Sequence, residues 1–209
     1  MSLKRGYGVF GKEYEVMLLN DLHDVNSIDQ VLIRNMILID EKSIDELYSH
    51  PKITQVSIIN HGLFQFAQRF KDDSVLKTIQ NVLDFTENIV TNYNVSFEDM
   101  LFGGTEKEII ERGTDWCSDI SRVGCTLLQC LNIPSRIVFL VNKSKSYNGH
   151  TVVEAYIDQH YILCDFTYGV KGYLSKFYSI RDLLGNTKIV KEVYRIKVKD
   201  NDHLNYMVV

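Results

Sequence analysis

Three residues that together could form a thiol nucleophile, its base and an orienting carboxylate occur in that order along the chain. Cys117 opens a helix-like segment, His150 opens a β-branched run, and Asp165 closes the next such run. A cysteine becomes a nucleophile when an imidazole takes its proton, and a carboxylate then holds that imidazole in one tautomer. The order and the placement predict a Cys–His–Asp catalytic set.

Cys117 stands where a helix should begin. Thr114 or Asp115 is expected to be the N-cap, which places Cys117 in the first turn. The free N–H groups and the positive dipole end of that turn favour a thiolate and can hold an oxyanion. Gly124 would allow a strand to approach closely. The face of this helix that carries Cys117 continues, at helical spacing, through Ile120, Gly124, Leu127, Leu128 and Leu131.

A hairpin links the histidine to the aspartate. Asp158-Gln159 separates two β-branched runs and predicts a two-residue turn, although it lacks the glycine that such turns prefer. Pairing Ile157 with His160 would place Val152 opposite Asp165, so that His150 and Asp165 become diagonal neighbours on one face. A slip of one residue would put Asp165 on the other face and destroy the pair.

Two helices are expected ahead of the cysteine. Apolar residues recur at helical spacing from Val75 to Tyr93, after the start signal Asp72-Asp73-Ser74. Thr105 to Glu108 reads as a capping box for a short helix to Arg112, which Gly113 ends. Trp116 would either wall a cleft beside the thiol or pack at the helix end.

The flanking segments carry weaker signals. Residues 12–60 are mostly ambiguous, with a strand predicted at Lys12 to Leu19 and a short helix at Ser43 to Tyr48. Gln55 to Phe70 predicts a helix that runs through Gly62. The remaining predictions are a polar loop at Asn142 to Asn148, a loop at Gly169 to Phe177, a short helix at Ser179 to Leu184 and an edge strand at Ile189 to Val198.

The segment from near Asp72 to near Tyr168 resembles the core of the transglutaminase-like superfamily, relatives of papain-type thiol enzymes. Tyr161 stands where the family often has tryptophan, and Asn132 where many members have glycine. The residues that carry the resemblance are Cys117, Leu127-Leu128, Asn132-Ile133-Pro134-Ser135-Arg136, Gly149-His150, Val153-Glu154-Ala155-Tyr156 and Asp165-Phe166-Thr167.

The resemblance implies an α+β fold, in which a central Cys-bearing helix packs on an antiparallel sheet that carries His150 and Asp165. We expect three parts of the chain: an N-terminal elaboration over 1–70 that packs on the core, a catalytic core over 71–185, and a strand and tail over 186–209 that complete the core. The oxyanion would bind the Cys117 N–H and a second donor, for which Gln80, Asn81 and Tyr93 are candidates.

Three functions share these residues. We expect a cysteine protease or amidase that hydrolyses a peptide or other amide bond through an acyl-enzyme. An acyltransferase, in which an amine intercepts the acyl-enzyme in a cross-linking reaction, needs the same three side chains. A non-catalytic peptide-binding module is the third alternative, and an intact set of three argues against it.

The amino-acid composition limits which classes of partner are expected. The 209 residues are 45% hydrophobic and 24% charged with two prolines, as in an ordinary globular protein. A net charge of −4 gives no reason to expect nucleic acid or anionic lipid, and no leader or spanning segment is evident. We therefore expect a cytoplasmic protein with a peptide or protein substrate and no cofactor. Cys125, Cys130 and Cys164 are expected to be core residues, and the other five histidines are expected to be structural. Metal binding by the four cysteines is not expected, because no pair has C-x₂-C spacing.

Overall fold

The computed structural model describes residues 62–91, 103–142 and 145–194, together with Asp45 and Tyr48. The chain divides into two compact units, one of residues 53–139 and 150–208, the other of residues 1–52, 140–149 and 209. The core and the candidate site lie in the first unit. The strand and helix predictions for residues 12–39 lie outside the described residues, whereas Asp45 and Tyr48 are helical as predicted.

The described chain forms helices first, then a sheet, then two short helices. The sheet has the strand order β1-β2-β3-β4, and both β2–β3 and β3–β4 are antiparallel. The helices are α1 (Phe64–Ala67, followed by a 3₁₀ turn over Gln68–Phe70), α2 (Val75–Thr91), α3 (Glu106–Arg112), α4 (Cys117–Cys130), α5 (Ile180–Leu183) and α6 (Thr187–Tyr194). The strands are β1 (Ser135–Asn142), β2 (Lys145–Ile157), β3 (His160–Asp165) and β4 (Val170–Lys171).

Helix α4 is the centre of the helical layer, because α1, α2 and α3 all pack on it. It also packs against the sheet, so the predicted α+β class and its central Cys-bearing helix are confirmed. Burial of each aliphatic side chain contributes roughly 1.5–3 kcal/mol, so the apolar core around this helix stabilises the fold. The fully buried side chains of the core come from α2, α3, α4, β2 and β3 and include Ile79, Val82, Leu83, Ile109, Ile120, Leu127, Leu128, Val153, Ala155 and Ile162.

The β2–β3 hairpin has the predicted register. Ile157 pairs with His160, and Val153 pairs with Cys164. One residue further along this ladder, Val152 lies opposite Asp165. Asp158 and Gln159 both have positive φ, 48° and 66°, as a type I′ turn requires. Such a turn matches the twist of the flanking strands, and it forms here without glycine because the long ladder behind it stabilises it.

A buried ion pair fixes the segment after the sheet. The Arg136 guanidinium donates from Nε and Nη2 to Glu154 Oε2 at 3.0 and 2.7 Å. The backbone N–H of Ile180, at the start of α5, donates to Glu154 Oε1 at 2.9 Å. Glu154 is fully buried, so its charge requires these partners. The Val-Glu-x-Tyr motif therefore anchors α5 on the sheet.

Three predictions around the hairpin, one before it and two after it, are wrong or incomplete. Residues 187–194 form helix α6 where a strand was predicted for Ile189 to Val198, and residues 195–198 lie outside the description. Val190 and Tyr194 are buried four residues apart, a spacing that fits one helix face as well as one strand face. The predicted loop Gly169 to Phe177 contains the short strand β4, and β2 begins at Lys145, inside the predicted loop Asn142 to Asn148.

The helix boundaries before the sheet follow the predicted signals closely, with one exception. The capping box at Thr105 is formed, and Gly113 ends α3 with φ 78°. Helix α2 begins at Val75 as predicted. The turn after α4 places Asn132 in the left-handed region at φ 59°, which explains why only glycine or asparagine suits this position. The exception is α1, which begins at Phe64 after a turn at Gly62 and does not run through that glycine.

Candidate active site

Cys117 lies in the first turn of α4, as predicted, but it is the first residue of the helix, and the N-cap is Trp116 and not Thr114 or Asp115. The Trp116 side chain makes no capping hydrogen bond. The Thr114 hydroxyl instead accepts the Trp116 N–H at 3.1 Å, because the buried Thr114 is used to fix the link from α3. No capping side chain therefore competes for the positive end of α4 beside the thiol.

Charged side chains fix the start of α4. Asp119, buried in its first turn, accepts the Gly103 N–H at 3.0 Å and Arg112 Nη2 at 3.0 Å. Arg112 also donates to the Gly103 carbonyl at 2.7 Å. Because Asp119 and Cys117 share one turn, this network holds the thiol rigidly relative to α3.

His150 and Asp165 form a direct pair. His150 Nε2 lies 2.8 Å from Asp165 Oδ2, and the two residues are 6% and 0% exposed. With Nε2 engaged by the carboxylate, Nδ1 is the ring nitrogen that is left for the thiol. Each residue stands at the place the register predicted: His150 in β2 and Asp165 at the end of β3.

A hydrogen bond joins the cysteine helix to the histidine strand. The buried Ser121 hydroxyl of α4 donates to the Thr151 carbonyl of β2 at 2.8 Å. Thr151 and His150 both lie against Cys117 and lower the pKa of its thiol. Ser121 and Thr151 were not singled out in the sequence, because nothing in a Ser or Thr on its own marks such a contact.

Asp165 accepts hydrogen bonds on both oxygens. The backbone N–H groups of Thr167 and Tyr168 donate to Oδ1 at 3.1 and 3.3 Å. The Tyr194 hydroxyl, at the end of α6, donates to Oδ2 at 2.8 Å, beside His150. Tyr194 is 3% exposed, and sequence reasoning missed it because the residue was assigned to a strand. The spacing of Val190 and Tyr194 could not reveal the helix, because it fits one face of a strand equally well.

The electrostatics favour an ion pair. Burial opposes charge on His150, but the Asp165 carboxylate and the Cys117 sulfur outweigh it and raise the pKa of His150 to about 10. Burial likewise opposes the thiolate, yet hydrogen bonds from His150 and Thr151 lower the pKa of Cys117 below its usual value. Between these two pKa values the site holds a thiolate beside an imidazolium.

The pKa values of the other cysteines are shifted in the opposite direction. All three are buried, and burial raises the pKa of Cys125, Cys130 and Cys164 above the usual thiol value. Cys125 Sγ also lies 3.3 Å from the Ser135 hydroxyl, inside the turn that leads to β1. Cys117 is thus the cysteine with both partial exposure and a lowered pKa among the described residues.

The second oxyanion donor is not assigned by the structure. The candidate amides of α2 are engaged elsewhere: Gln80 Nε2 donates to Asp84 Oδ1 at 2.7 Å, and Asn81 Nδ2 donates to the Phe70 carbonyl at 3.0 Å. Tyr93 lies outside the described residues. In the described part of the chain, no group of three His, Cys, Asp or Glu side chains could hold a metal ion.

A helix that presents a cysteine to a sheet-borne histidine–aspartate pair defines a thiol-enzyme type of site. Residues 65–166 match the core domain of the transglutaminase-like superfamily, a segment that includes Cys117, His150 and Asp165. The chain therefore contains a transglutaminase-like domain, whose members are typically cysteine enzymes. No curated protein and no solved structure is significantly similar to the chain. Within the described residues, no helix combines the length and the apolar character needed to cross a membrane.

Proposed function

We propose that this protein is a cysteine hydrolase that cleaves a peptide or other amide bond through an acyl-enzyme on Cys117. The observation that carries the proposal is the buried pair of His150 and Asp165, with Nε2 and Oδ2 2.8 Å apart, beside a Cys117 thiol whose pKa His150 lowers. A structural histidine would not need a lowered-pKa thiol on one side and a buried carboxylate on the other.

The chemistry follows from the protonation state of the pair. The Cys117 thiolate attacks the carbonyl carbon, and the electrons of the C=O bond move to the oxygen. The oxyanion then binds the N–H groups at the start of α4. As the C–N bond breaks, the His150 imidazolium gives its proton to the leaving nitrogen, and a thioester remains on Cys117.

The second half restores the enzyme. Neutral His150 takes a proton from water, the hydroxide oxygen attacks the thioester carbon, and the carboxylic acid leaves as the C–S bond breaks. Cys117 is again a thiolate beside protonated His150. Asp165 stays ionised throughout and holds the ring so that its Nδ1 faces the sulfur. No cofactor enters these steps, and a reducing compartment such as the cytoplasm keeps the thiol available.

The first experiment asks whether Cys117 is the nucleophile. Limited iodoacetamide at mildly acidic pH, followed by peptide mass spectrometry, should label Cys117 before Cys125, Cys130 or Cys164. Those three provide an internal control in the same molecule, because burial raises their pKa values. Preferential labelling of any of them in the folded protein would contradict the proposal.

The second experiment separates the possible reactions. Short peptides that carry an electrophile or a chromogenic amide are incubated with and without a primary amine. Free acid as the product supports hydrolysis, whereas amide made with the added amine would replace the hydrolase by an acyltransferase. If reduced, accessible Cys117 never forms an adduct with any such probe, the protein is a binding module.

Substitutions test whether the three residues act as one unit. Cys117→Ala should abolish turnover, and His150→Ala should lower kcat/KM by about 10²–10⁴-fold through loss of the acid–base group. Asp165→Asn should be milder, because the nucleophile remains. The double variant His150→Ala/Asp165→Asn should be no worse than His150→Ala alone. Additive losses would show that the residues act separately.

A further inference from the structure

Asp165 receives a donor from a part of the chain outside the matched family segment. The match ends at residue 166, whereas Tyr194 lies on α6, after β4 and α5. Its hydroxyl donates to the same oxygen, Asp165 Oδ2, that His150 Nε2 contacts, and both distances are 2.8 Å. Two donors that share one buried carboxylate oxygen are coupled, because each hydrogen bond reduces the negative charge that attracts the other donor.

We propose that Tyr194 is a positioning residue of this site, which acts through Asp165 by sharing Oδ2 with His150 and thereby helps His150 to release its proton to the leaving group. The inference deepens the proposed function and rests on it. Asp165 keeps its orientation through the Thr167 and Tyr168 N–H groups on the other oxygen. The specific effect of Tyr194 is therefore on charge: its hydroxyl disperses the negative charge that attracts the imidazolium.

Such a donor is needed because Asp165 attracts the His150 imidazolium strongly. An imidazolium whose pKa is about 10 is a weak acid at neutral pH, and it protonates a leaving amine slowly. Weakening the attraction of Asp165 for the imidazolium makes His150 a better acid. The other titratable groups around the pair, in the part of the chain that is described, are Cys117, Tyr168 and the buried Cys164.

Several contacts place Tyr194 for this role. Glu154 anchors the N-terminus of α5 on the sheet, and α6 follows after Gly185. Val190 and Tyr194 are the buried face of α6, and α6 contacts β4 beside Asp165. Tyr168 lies between the rings, with its centroid 5.4 Å from His150 and 6.5 Å from Tyr194.

Tyr194→Phe removes the hydroxyl and keeps the ring. In the variant, His150 should titrate higher than in the wild type, by roughly half to one pH unit, because Asp165 has lost a donor that dispersed its charge. Imidazole NMR of the substrate-free protein measures this shift. Tyr178→Phe, which removes the hydroxyl of another buried tyrosine, is the matched control and should leave the His150 titration unchanged.

Two substrates distinguish this role from a structural one. Acylation by a peptide amide should slow about three- to tenfold in Tyr194→Phe, because its leaving amine needs the His150 proton. Acylation by a nitrophenyl ester should stay within about twofold, because nitrophenolate leaves without a proton. Equal losses on both substrates, or a His150 titration that is unchanged or lowered, would overturn the inference.

The readouts keep this inference separate from the proposed function. If the wild-type protein acylates on no substrate, the proposed function fails, and the NMR titration alone still decides whether Tyr194 tunes the pair. Circular dichroism checks that Tyr194→Phe folds. If it does not, the wild type labelled with ¹³Cζ-tyrosine supplies the test: the Tyr194 signal should move as His150 titrates, and a constant signal would overturn the coupling.

Discussion

Gly124 makes a contact that no larger residue could make without moving the site. A Cβ added there would lie 2.4 Å from Cδ2 of Phe166 and 2.5 Å from two further ring atoms. Ordinary contact begins at 3.4 Å, so the ring or the helix must retreat by about 1 Å in Gly124→Ala. Phe166 is fully buried and follows Asp165 directly, so the ring cannot retreat into solvent.

The expected loss of stability in Gly124→Ala is modest. Overpacking a core costs about 1–3 kcal/mol. Alanine in a helix interior recovers about 1 kcal/mol relative to glycine. The free energy of unfolding, measured in urea, should therefore fall by up to about 2 kcal/mol.

The expected loss of function is larger. A displacement of about 1 Å beside Asp165 can lower catalysis by about 100-fold. The alkylation rate of Cys117 should fall as well, because His150 is held by Asp165. The variant should thus remain folded with a poorly reactive thiol.

Two variants control for the origin of the effect. Gly62→Ala should change neither quantity, because no atom lies within 4 Å of the added Cβ and the residue lies outside the site. Gly124→Ala/Phe166→Leu should recover thiol reactivity relative to Gly124→Ala, since the smaller side chain makes room. A Gly124→Ala protein with wild-type stability and alkylation rate would refute the close contact and the argument built on it.

Three further predictions concern pH, the hairpin and a helix cap. Because the pKa of His150 is raised in the folded protein, protonated His150 stabilises the fold fully below pH 6.5, and this stabilisation is lost as pH rises through about 10. Because the pKa of Cys117 is lowered, its thiolate stabilises the fold fully above pH 9.0, and this stabilisation is lost as pH falls through the pKa of the folded protein. These slopes cancel between the lowered pKa of Cys117 and pH 9.0, so urea unfolding should be nearly pH-independent in that window in the wild type and weaken with rising pH in Cys117→Ala; identical slopes would contradict the ion pair. Gln159→Gly should raise the free energy of unfolding by about 0.5–1 kcal/mol, because glycine accepts positive φ at no steric cost, and a loss of stability would show that the side chain contributes. Thr105→Ala should lower it by about 1 kcal/mol by removing one half of the capping box, with Thr105→Ser nearly neutral as its control.

Local signals predicted the elements that carry the site. The capping box at Thr105, the glycine after Arg112 and the apolar stripe of α2 depend on neighbouring residues alone, so they could be read from the sequence. The hairpin register could also be predicted, because a two-residue turn requires Ile157 to pair with His160, and all other pairs of the ladder follow from that one. That register, together with the start of α4, was enough to expect Cys117, His150 and Asp165 near one another.

Contacts between distant residues escaped prediction. Helix α6 was assigned as a strand because its apolar residues fit both periods, and only burial against β4 and Asp165 decides between them. The same error hid Tyr194. The N-cap prediction failed because the Thr114 hydroxyl accepts the Trp116 N–H in the link between α3 and α4, before the helix begins. The division of the chain at residues 70 and 185 and the catalytic roles stay predictions.

The bond between Tyr194 and Asp165 has a consequence for the newly made protein. Translation produces Cys117, His150 and Asp165 before α6, so a nascent chain that ends at the hairpin carries these three residues but not the helix that contacts Asp165. The Ile180 N–H that pairs with buried Glu154 is also still missing. Such a chain cannot yet form the network seen in the folded protein. The reactive thiol would thus mature late in synthesis, which limits its chance to attack other nascent chains on the ribosome.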